Sequence, residues 1–529
     1  MISLAKGFLE KSPNRDKSFF SFVVAPEYLT SEMLLSLVYR QLGFSDFVAT
    51  SADRFIPFLS RDLKKVITTS TNFSTEPFDS NEIRMLLENV VSVPKELSQR
   101  DKYKDLLFFY PLTPYAALFS HPVKLKSPKG DPTTQTGSSP WNPASIFKQM
   151  FMYSTKDDSD RTELWNELFE ALCVQDENED FFAKVVDGIL EKYTEINELT
   201  YGKTLKWSAI TNPFESSLEN ELMSWDDRSK INCSPYKVFA EDLRNLLKLK
   251  QQFSRRQWLT LLEAYLRISM AAFVAWTIHM HLQVYNVLLE VIKDQSVIPT
   301  LEQLYEKLSL STNSEHSLFS YGELFAKNKQ ALVTQFGPAF YYIDFLLFVL
   351  KEKFSYIPDW TTVQGFYDSL SKIAEIFKDE TYRQDFNTAF GTILEEKSAI
   401  LKQKRTGKIK HLDEFFSLLR QRSVADSKYS HYDQSYLAKR RSAYKNSPYV
   451  LIPGSAQLLT LAFCCVQRSR TVVTLEAFRE YLLHFGFSIK QSQIEAFTLQ
   501  LRNLGLTMDS PDAEEGAIIL PPFTMERGE

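Results

Sequence analysis

The stretch from Ile268 to Leu289 carries no formal charge, and its first half, Ile268-Ser-Met-Ala-Ala-Phe-Val-Ala-Trp-Thr-Ile278, is almost wholly apolar. Such a run has two natural homes, a membrane or the centre of a helical protein that covers it on most sides. His279, His281, Gln283 and Asn286 cut the hydropathy of the second half and would set polar groups against lipid. We therefore read Leu261 to Ile292 as a long central helix buried on most sides, not as a membrane span.

A helix of that kind needs a large wrapping. The chain has 529 residues with 44% apolar and 24% charged content, enough for two to four domains and a sizeable core. Its 41 Phe and 24 Tyr point to extensive helix-packing surfaces or a partner interface. The four cysteines, Cys173, Cys233, Cys464 and Cys465, form no Cys-x-x-Cys pair, which argues against a zinc ribbon or a disulfide framework. Met1 to Phe20 mixes charges among its apolar residues and lacks a secretory pattern, so a reducing, cytoplasmic setting is expected.

Apolar residues recur at three- and four-residue steps over Glu163–Cys173, Asp180–Ile196, Val238–Leu249, Arg256–Ile292, Thr300–Leu308, Phe340–Glu352, Thr362–Phe377 and Asp385–Leu401. Phe19–Val24 reads as a short strand, with helices from Ser31 to Leu42 and from Asn81 to Val91. Pro122 to Ser145, rich in Pro, Gly, Ser and Thr, is the best internal boundary. The expected fold class is mainly α: an irregular multi-helix body with a small α/β N-terminal part and a C-terminal winged-helix module. The domains are then 1–125, a mixed helical domain; 146–400, the helical body; 401–447, a basic linker or helical segment; and 448–523, the winged helix.

The last unit is the most legible. Ser455 to Gln467 is a helical run, Thr474 stands as an N-cap before Leu475 to Phe485, and Gly486 occupies a left-handed C-cap position. A third helix, Gln491 to Leu504, buries Ile494, Phe497, Leu501 and Leu504 and stops at Gly505. Leu506–Met508 and Ala517–Leu520 read as strands around the polar tip Asp509 to Gly516, the pattern of a wing. Past the break at Pro448 this unit has its own apolar set, so a chain ending at Ser447 is expected to keep the helical body folded.

Several chemistries are excluded. No two of the 16 glycines have the spacing of Gly-x-Gly-x-x-Gly, and no Gly-x-x-x-x-Gly-Lys-Ser/Thr occurs. Phosphate-cradling loops need those glycines, so ATP hydrolysis by this chain is not expected. There is no His-Glu-x-x-His and no Gly-x-Ser-x-Gly; His279 and His281 lie two apart and point to different helix faces. His411-Leu-Asp-Glu414 could offer metal ligands, but a solvated helix start explains it more simply. Glu323 and Lys327 could be assembled into a nuclease pair only without the strand pattern such a site uses. No catalytic residue, metal or cofactor is expected.

Charge is unevenly spread. From Lys397 to Lys445 thirteen Lys and Arg stand against four Asp and Glu, a local net of +9 in a chain whose net charge is −5. Lys402, Lys404, Arg405, Lys408, Lys410, Lys439, Arg440 and Arg441 are the candidate nucleic-acid-binding residues. Tyr429, His431, Tyr432, Tyr436 and Tyr444 lie among these cations as rings that could stack on bases. A solvated linker and a surface for an acidic partner are the competing readings. From Val450 to Phe523 five cations face seven anions, and the wing tip is acidic, which favours docking to a protein there. Lys490, Gln493, Gln500 and Asn503, expected on the exposed side of the third helix or beside it, are the candidate docking residues.

The order Pro453-Gly-Ser-Ala-Gln-Leu-Leu-Thr-Leu-Ala-Phe-Cys-Cys-Val466, Leu475-Glu-Ala-Phe-Arg-Glu-Tyr-Leu482, Leu504-Gly-Leu-Thr507 and Gly516-Ala-Ile-Ile-Leu520 resembles the tail of the G-type component of bacterial phosphorothioation-dependent DNA restriction systems. That resemblance implies a non-catalytic subunit acting beside a separate ATPase or helicase-like component against DNA lacking the host's modification. The leading expectation is thus an adaptor of a DNA-defence complex that contacts double-stranded DNA weakly and without sequence preference. A stand-alone winged-helix regulator and a nuclease of unfamiliar type are the alternatives.

Overall fold

The computed structural model describes residues 1–10, 150–172, 225–253, 255–310, 319–360, 362–402, 419–421, 433–442, 444, 446–469, 472–508 and 517–523. The elements expected at 19–24, 31–42, 81–91 and 180–196, the loop at 122–145 and the tip at 509–516 lie outside these residues. About 70% of what is described is helical, so the protein is mainly α.

The expected central helix runs Arg255–Lys293. We number the described helices in chain order: α1 (Ile2–Glu10), α2 (Asp158–Leu172), α3 (Trp225–Lys230), α4 (Tyr236–Lys248), α5 (Arg255–Lys293), α6 (Leu301–Leu308), α7 (Phe325–Phe354), α8 (Val363–Ile376), α9 (Glu380–Lys402), α10 (Ser455–Arg468), α11 (Leu475–Leu483) and α12 (Ile494–Asn503). Helix α5 packs against α4, α6, α7, α8 and α10. Its Gln257–Lys293 stretch is long and apolar enough to cross a membrane, with a mean hydropathy of 1.4, yet its most apolar window is wholly buried within the protein. Two of its buried polar side chains bond back to the helix's own carbonyls: Thr277 Oγ1 donates to Phe273 O at 2.9 Å, and His281 Nδ1 lies 2.9 Å from Thr277 O. Burial pushes the His281 imidazole down to about 4, so it is neutral at physiological pH.

Local chemistry sets the helix ends. Thr300 and Gln303 form a reciprocal capping box at the start of α6, and Thr362 Oγ1 accepts from Gly365 N at 2.9 Å at the start of α8. Helix α5 ends where Arg383 of α9 donates from Nη1 to Ile292 O at 3.2 Å and Lys293 O at 3.0 Å, a cation on orphan carbonyls. The phenylalanines go to helix packing, as the sequence suggests. Phe345 stacks on Phe386 at 5.1 Å between ring centroids, Phe377 meets Phe386 edge-on at 5.0 Å, and Phe8 of α1 meets Phe345 at 5.5 Å.

Six short strands complete the described fold: β1 (Phe319–Ser320), β2 (Ala438–Arg440), β3 (Tyr449–Leu451), β4 (Phe487–Ser488), β5 (Thr507–Met508) and β6 (Ile518–Ile519). β2 and β3 pair antiparallel, with Arg440 opposite Tyr449, and β5 and β6 pair antiparallel, with Thr507 opposite Ile519. β1 pairs parallel with β4, Phe319 opposite Phe487. The chain after β1 then turns to β3: Gly322 N donates to Leu451 O at 2.8 Å, and Leu451 N donates to Glu323 O at 2.9 Å. A piece of the expected helical body therefore sits between two strands, β4 and β3, that both come from beyond residue 448. The buried apolar residues on the two sides of that position belong to one hydrophobic cluster.

Candidate functional site

The residues after 448 are fastened to the helical body by buried polar groups. Asp242 of α4 is fully buried; its Oδ2 accepts from Tyr265 Oη of α5 at 3.0 Å and from Tyr481 Oη of α11 at 2.8 Å. Arg468 of α10 pairs with Glu241 at 2.6 Å and lies 3.7 Å from Asp242 Oδ1. Burial raises the Asp242 carboxyl to about 7, against the opposing pull of Arg468. Below them the ring of Phe485 meets Tyr265 edge-on at 6.0 Å, and His484 Nδ1 lies 3.1 Å from Ser234 O.

The expected docking residues mostly face this chain. Lys490 forms an ion pair with Glu323. Gln493 lies over Gly322, where a Cβ would stand 3.2 Å from Gln493 Oε1, and Gly322 holds a φ of +74°. Gln500 Oε1 accepts from Tyr321 Oη at 2.9 Å, and its Nε2 donates to Pro453 O at 2.6 Å. The expectation that all four stand exposed therefore needs correcting for Gln493 and Gln500, which are partly buried; Lys490 is part-exposed but paired. The physical reason is the 319–324 segment, which crosses beside α12 and offers a hydroxyl, a carboxylate and a side-chain-free surface. Asn503 is exposed, at the end of α12. On the core side Phe497 and Leu501 are buried, with Ile494 and Leu504 partly buried, as the spacing predicts.

The basic residues divide. Lys404, Arg405, Lys408 and Lys410, with His411 to Glu414, lie outside the described residues. Lys402 is the last residue of α9, and nothing of its side chain is described. Lys439 and Arg440 are half-buried on β2, and Arg441 is exposed just beyond it. β2 is held on its other side by a parallel bridge from Arg420 to Ala438, with Gln421 N donating to Ala438 O at 2.7 Å. This brings the Arg420 guanidinium over the Tyr449 ring at 5.4 Å, beside the Arg440 guanidinium at 5.7 Å. Arg440 Nε also lies 3.4 Å from Tyr449 Oη. Arg420 and Tyr449 were not singled out from sequence; the Asn446-Ser447-Pro448 turn signal, which sets Tyr449 opposite Arg440, is the clue that could have found the tyrosine.

Beneath the hairpin the buried Arg267 of α5 donates to Asp433 Oδ1 at 2.9 Å and to Arg420 O at 2.9 Å, with Glu263 Oε1 at 3.8 Å. One buried guanidinium thus ties both flanks of the basic surface to the central helix. Of the rings expected among the cations, Tyr436 is buried and Tyr444 is 81% exposed; Tyr429, His431 and Tyr432 lie outside the described residues.

Other chemistry is scarce here. Burial pushes the Cys233 and Cys465 thiols up to about 12 and Cys464 well above its usual range, so none is a thiolate at neutral pH. Among the described residues no cluster of three or more His, Cys, Asp or Glu could hold a metal ion. Glu323 forms its ion pair with Lys490. The arrangement offers fixed cations and an exposed ring, which is binding chemistry. Comparison with family profiles, characterised proteins and solved structures finds no match to this chain.

Proposed function

We propose that this chain is a non-catalytic, DNA-contacting adaptor subunit of a bacterial DNA-restriction or anti-phage defence complex. It would work in the cytoplasm beside a separate ATPase or helicase-like subunit, in a system of the phosphorothioation-dependent kind that its C-terminal residues resemble. In this reading α10, α11, α12 and the β5–β6 hairpin form a winged helix with residues 509–516 as its wing. The helix order and the bridge from Thr474 to Ile518, which adds a third strand segment beside the hairpin, support that assignment.

The observation that carries the DNA-contacting part is the β2–β3 hairpin. Arg420 and Arg440 are held over one tyrosine ring, with Lys439 on the same strand and Arg441 just beyond its end. Cations held in place by packing lose less entropy on meeting phosphates than cations on a free linker. A surface of this size reads no sequence and binds duplex DNA weakly. The docking role of the winged helix falls to its outward side near Asn503, since Lys490, Gln493 and Gln500 already have partners within the chain.

The test is a salt titration of duplex binding. If about five phosphates are neutralised, log K falls against log salt with a slope of about −4 to −5. Replacing Lys439, Arg440 and Arg441 together by alanine should flatten it by roughly two to three units. An unchanged slope would remove the contact from this hairpin, and failure to co-purify with an ATPase from the native cell would remove the adaptor role.

A further inference from the structure

Tyr444 stands in the connection between β2 and β3 with its side chain 81% exposed, the most exposed large hydrophobic side chain among the described residues. Described residues of this connection are hydrogen-bonded to one another. Arg441 N donates to Pro448 O at 2.9 Å, Ser442 N to Ser447 Oγ at 2.9 Å, and Ser447 N to the carbonyl of Tyr444 itself at 2.9 Å. A large aromatic ring usually gains by packing against the protein. Here a bond from Ser447 N holds the Tyr444 carbonyl while the ring stays in solvent, three residues along the chain from exposed Arg441 and in the connection that joins Arg440 to Tyr449.

We propose that Tyr444 is a stacking platform for an unpaired nucleobase, so that the hairpin holds single-stranded nucleic acid in preference to duplex. The inference rests on the nucleic-acid reading given above and adds the form of the ligand. The strand's phosphates meet the hairpin's cations, Arg440 and Arg420 on the Tyr449 face foremost, and one base turns onto the Tyr444 ring. A paired base inside a duplex has both faces covered by its neighbours and cannot offer one to the ring. The shared chemistry is an exposed base face beside a phosphate, which single-stranded DNA and RNA both supply.

The experiment uses the full chain and fluorescent oligo(dT), oligo(rU) and a duplex of matched length. Tyr444→Ala should weaken oligo(dT) binding by about fivefold or more while leaving the salt slope and duplex affinity unchanged. Tyr444→Trp should retain binding and show, relative to the parent protein, added indole fluorescence that oligo(dT) quenches and polyphosphate does not. The relative affinities for oligo(dT) and oligo(rU) identify which strand is the source. Full oligo(dT) affinity in Tyr444→Ala, with binding lost in the Lys439, Arg440 and Arg441 triple variant, would overturn the stacking role and leave the phosphate contact standing. Full affinity in both variants would overturn both, and so would equal quenching by polyphosphate overturn the stacking.

Discussion

The Tyr481 hydroxyl donates to Asp242 Oδ2 at 2.8 Å across 239 residues of chain, and Tyr265 donates to the same oxygen at 3.0 Å. Two neutral donors on one oxygen suit a protonated acid as well as a carboxylate, and burial raises this acid from 3.8 to about 7. The folded state therefore binds the proton more tightly than the unfolded chain. The stabilisation is complete below about pH 4 and is lost as pH rises through 7.

Replacing Asp242 by Asn removes that titration while keeping an acceptor for both tyrosines. Urea melts of variant and parent should show their stability difference shifting in the variant's favour between pH 4 and pH 8, by up to about 4 kcal/mol. A difference that does not change with pH would mean that Asp242 is ionised throughout.

Arg267→Met should be strongly destabilising, because it strips the guanidinium from the buried Asp433 carboxylate and the Arg420 carbonyl. Breaking a buried pair on one side costs about 3–5 kcal/mol. Adding Asp433→Asn should recover part of that loss in thermal or urea melts. An Asp433→Asn change that costs as much in the Arg267→Met background as in the parent would show that the two residues are not coupled.

Two glycines should respond in opposite directions. A Cβ at Gly454 would lie 2.3 Å from Gln434 O and 2.9 Å from the Tyr436 ring, so Gly454→Ala must push the start of α10 away from the 434–436 segment. Gly391, inside α9, has nothing within 4 Å of its Cβ position, and Gly391→Ala should stabilise by about 0.5–1 kcal/mol. Melting temperatures in the reverse order would contradict the packing of 434–436 beneath Gly454.

A chain ending at Ser447 should not yield a soluble helical body, contrary to the expectation from sequence. It would lose β3, α10 and α11 together, uncovering the α4 and α5 surfaces around Asp242, Tyr265 and Leu261. Circular dichroism and gel filtration of the truncated protein decide the matter, and a monomer with a cooperative melt would restore the sequence boundary.

The helices were legible because their signals are local. Thr300 with Gln303, Thr362, Thr474, and the positive-φ glycines Gly486 and Gly505 mark their own ends. Helix α7 was read only from Phe340; the structure carries the helix through Pro338 from Phe325, with α5 packed along it. The strand β1 was invisible: two residues carry no period, and Phe319 meets Phe487 only through the fold. The same cause misled the assignment of the docking face. The spacing within α12 separates its inner from its outer residues, but it carries no information about Tyr321, Gly322 and Glu323 arriving from elsewhere.

The enclosure of α5 has a consequence for biosynthesis. Its partners α10 and α11 are encoded far downstream, and Phe485, which closes over Tyr265, is made nearly two hundred residues after the helix ends at Lys293. At roughly 5–20 residues per second a ribosome needs on the order of ten to forty seconds to supply them. Throughout that interval the nascent chain carries a helix with the hydropathy of a membrane span, 1.4 over its most apolar window, whose α10 and α11 side is still uncovered. A chain that terminates between α9 and α10 would therefore leave the α10-facing side of this helix bare.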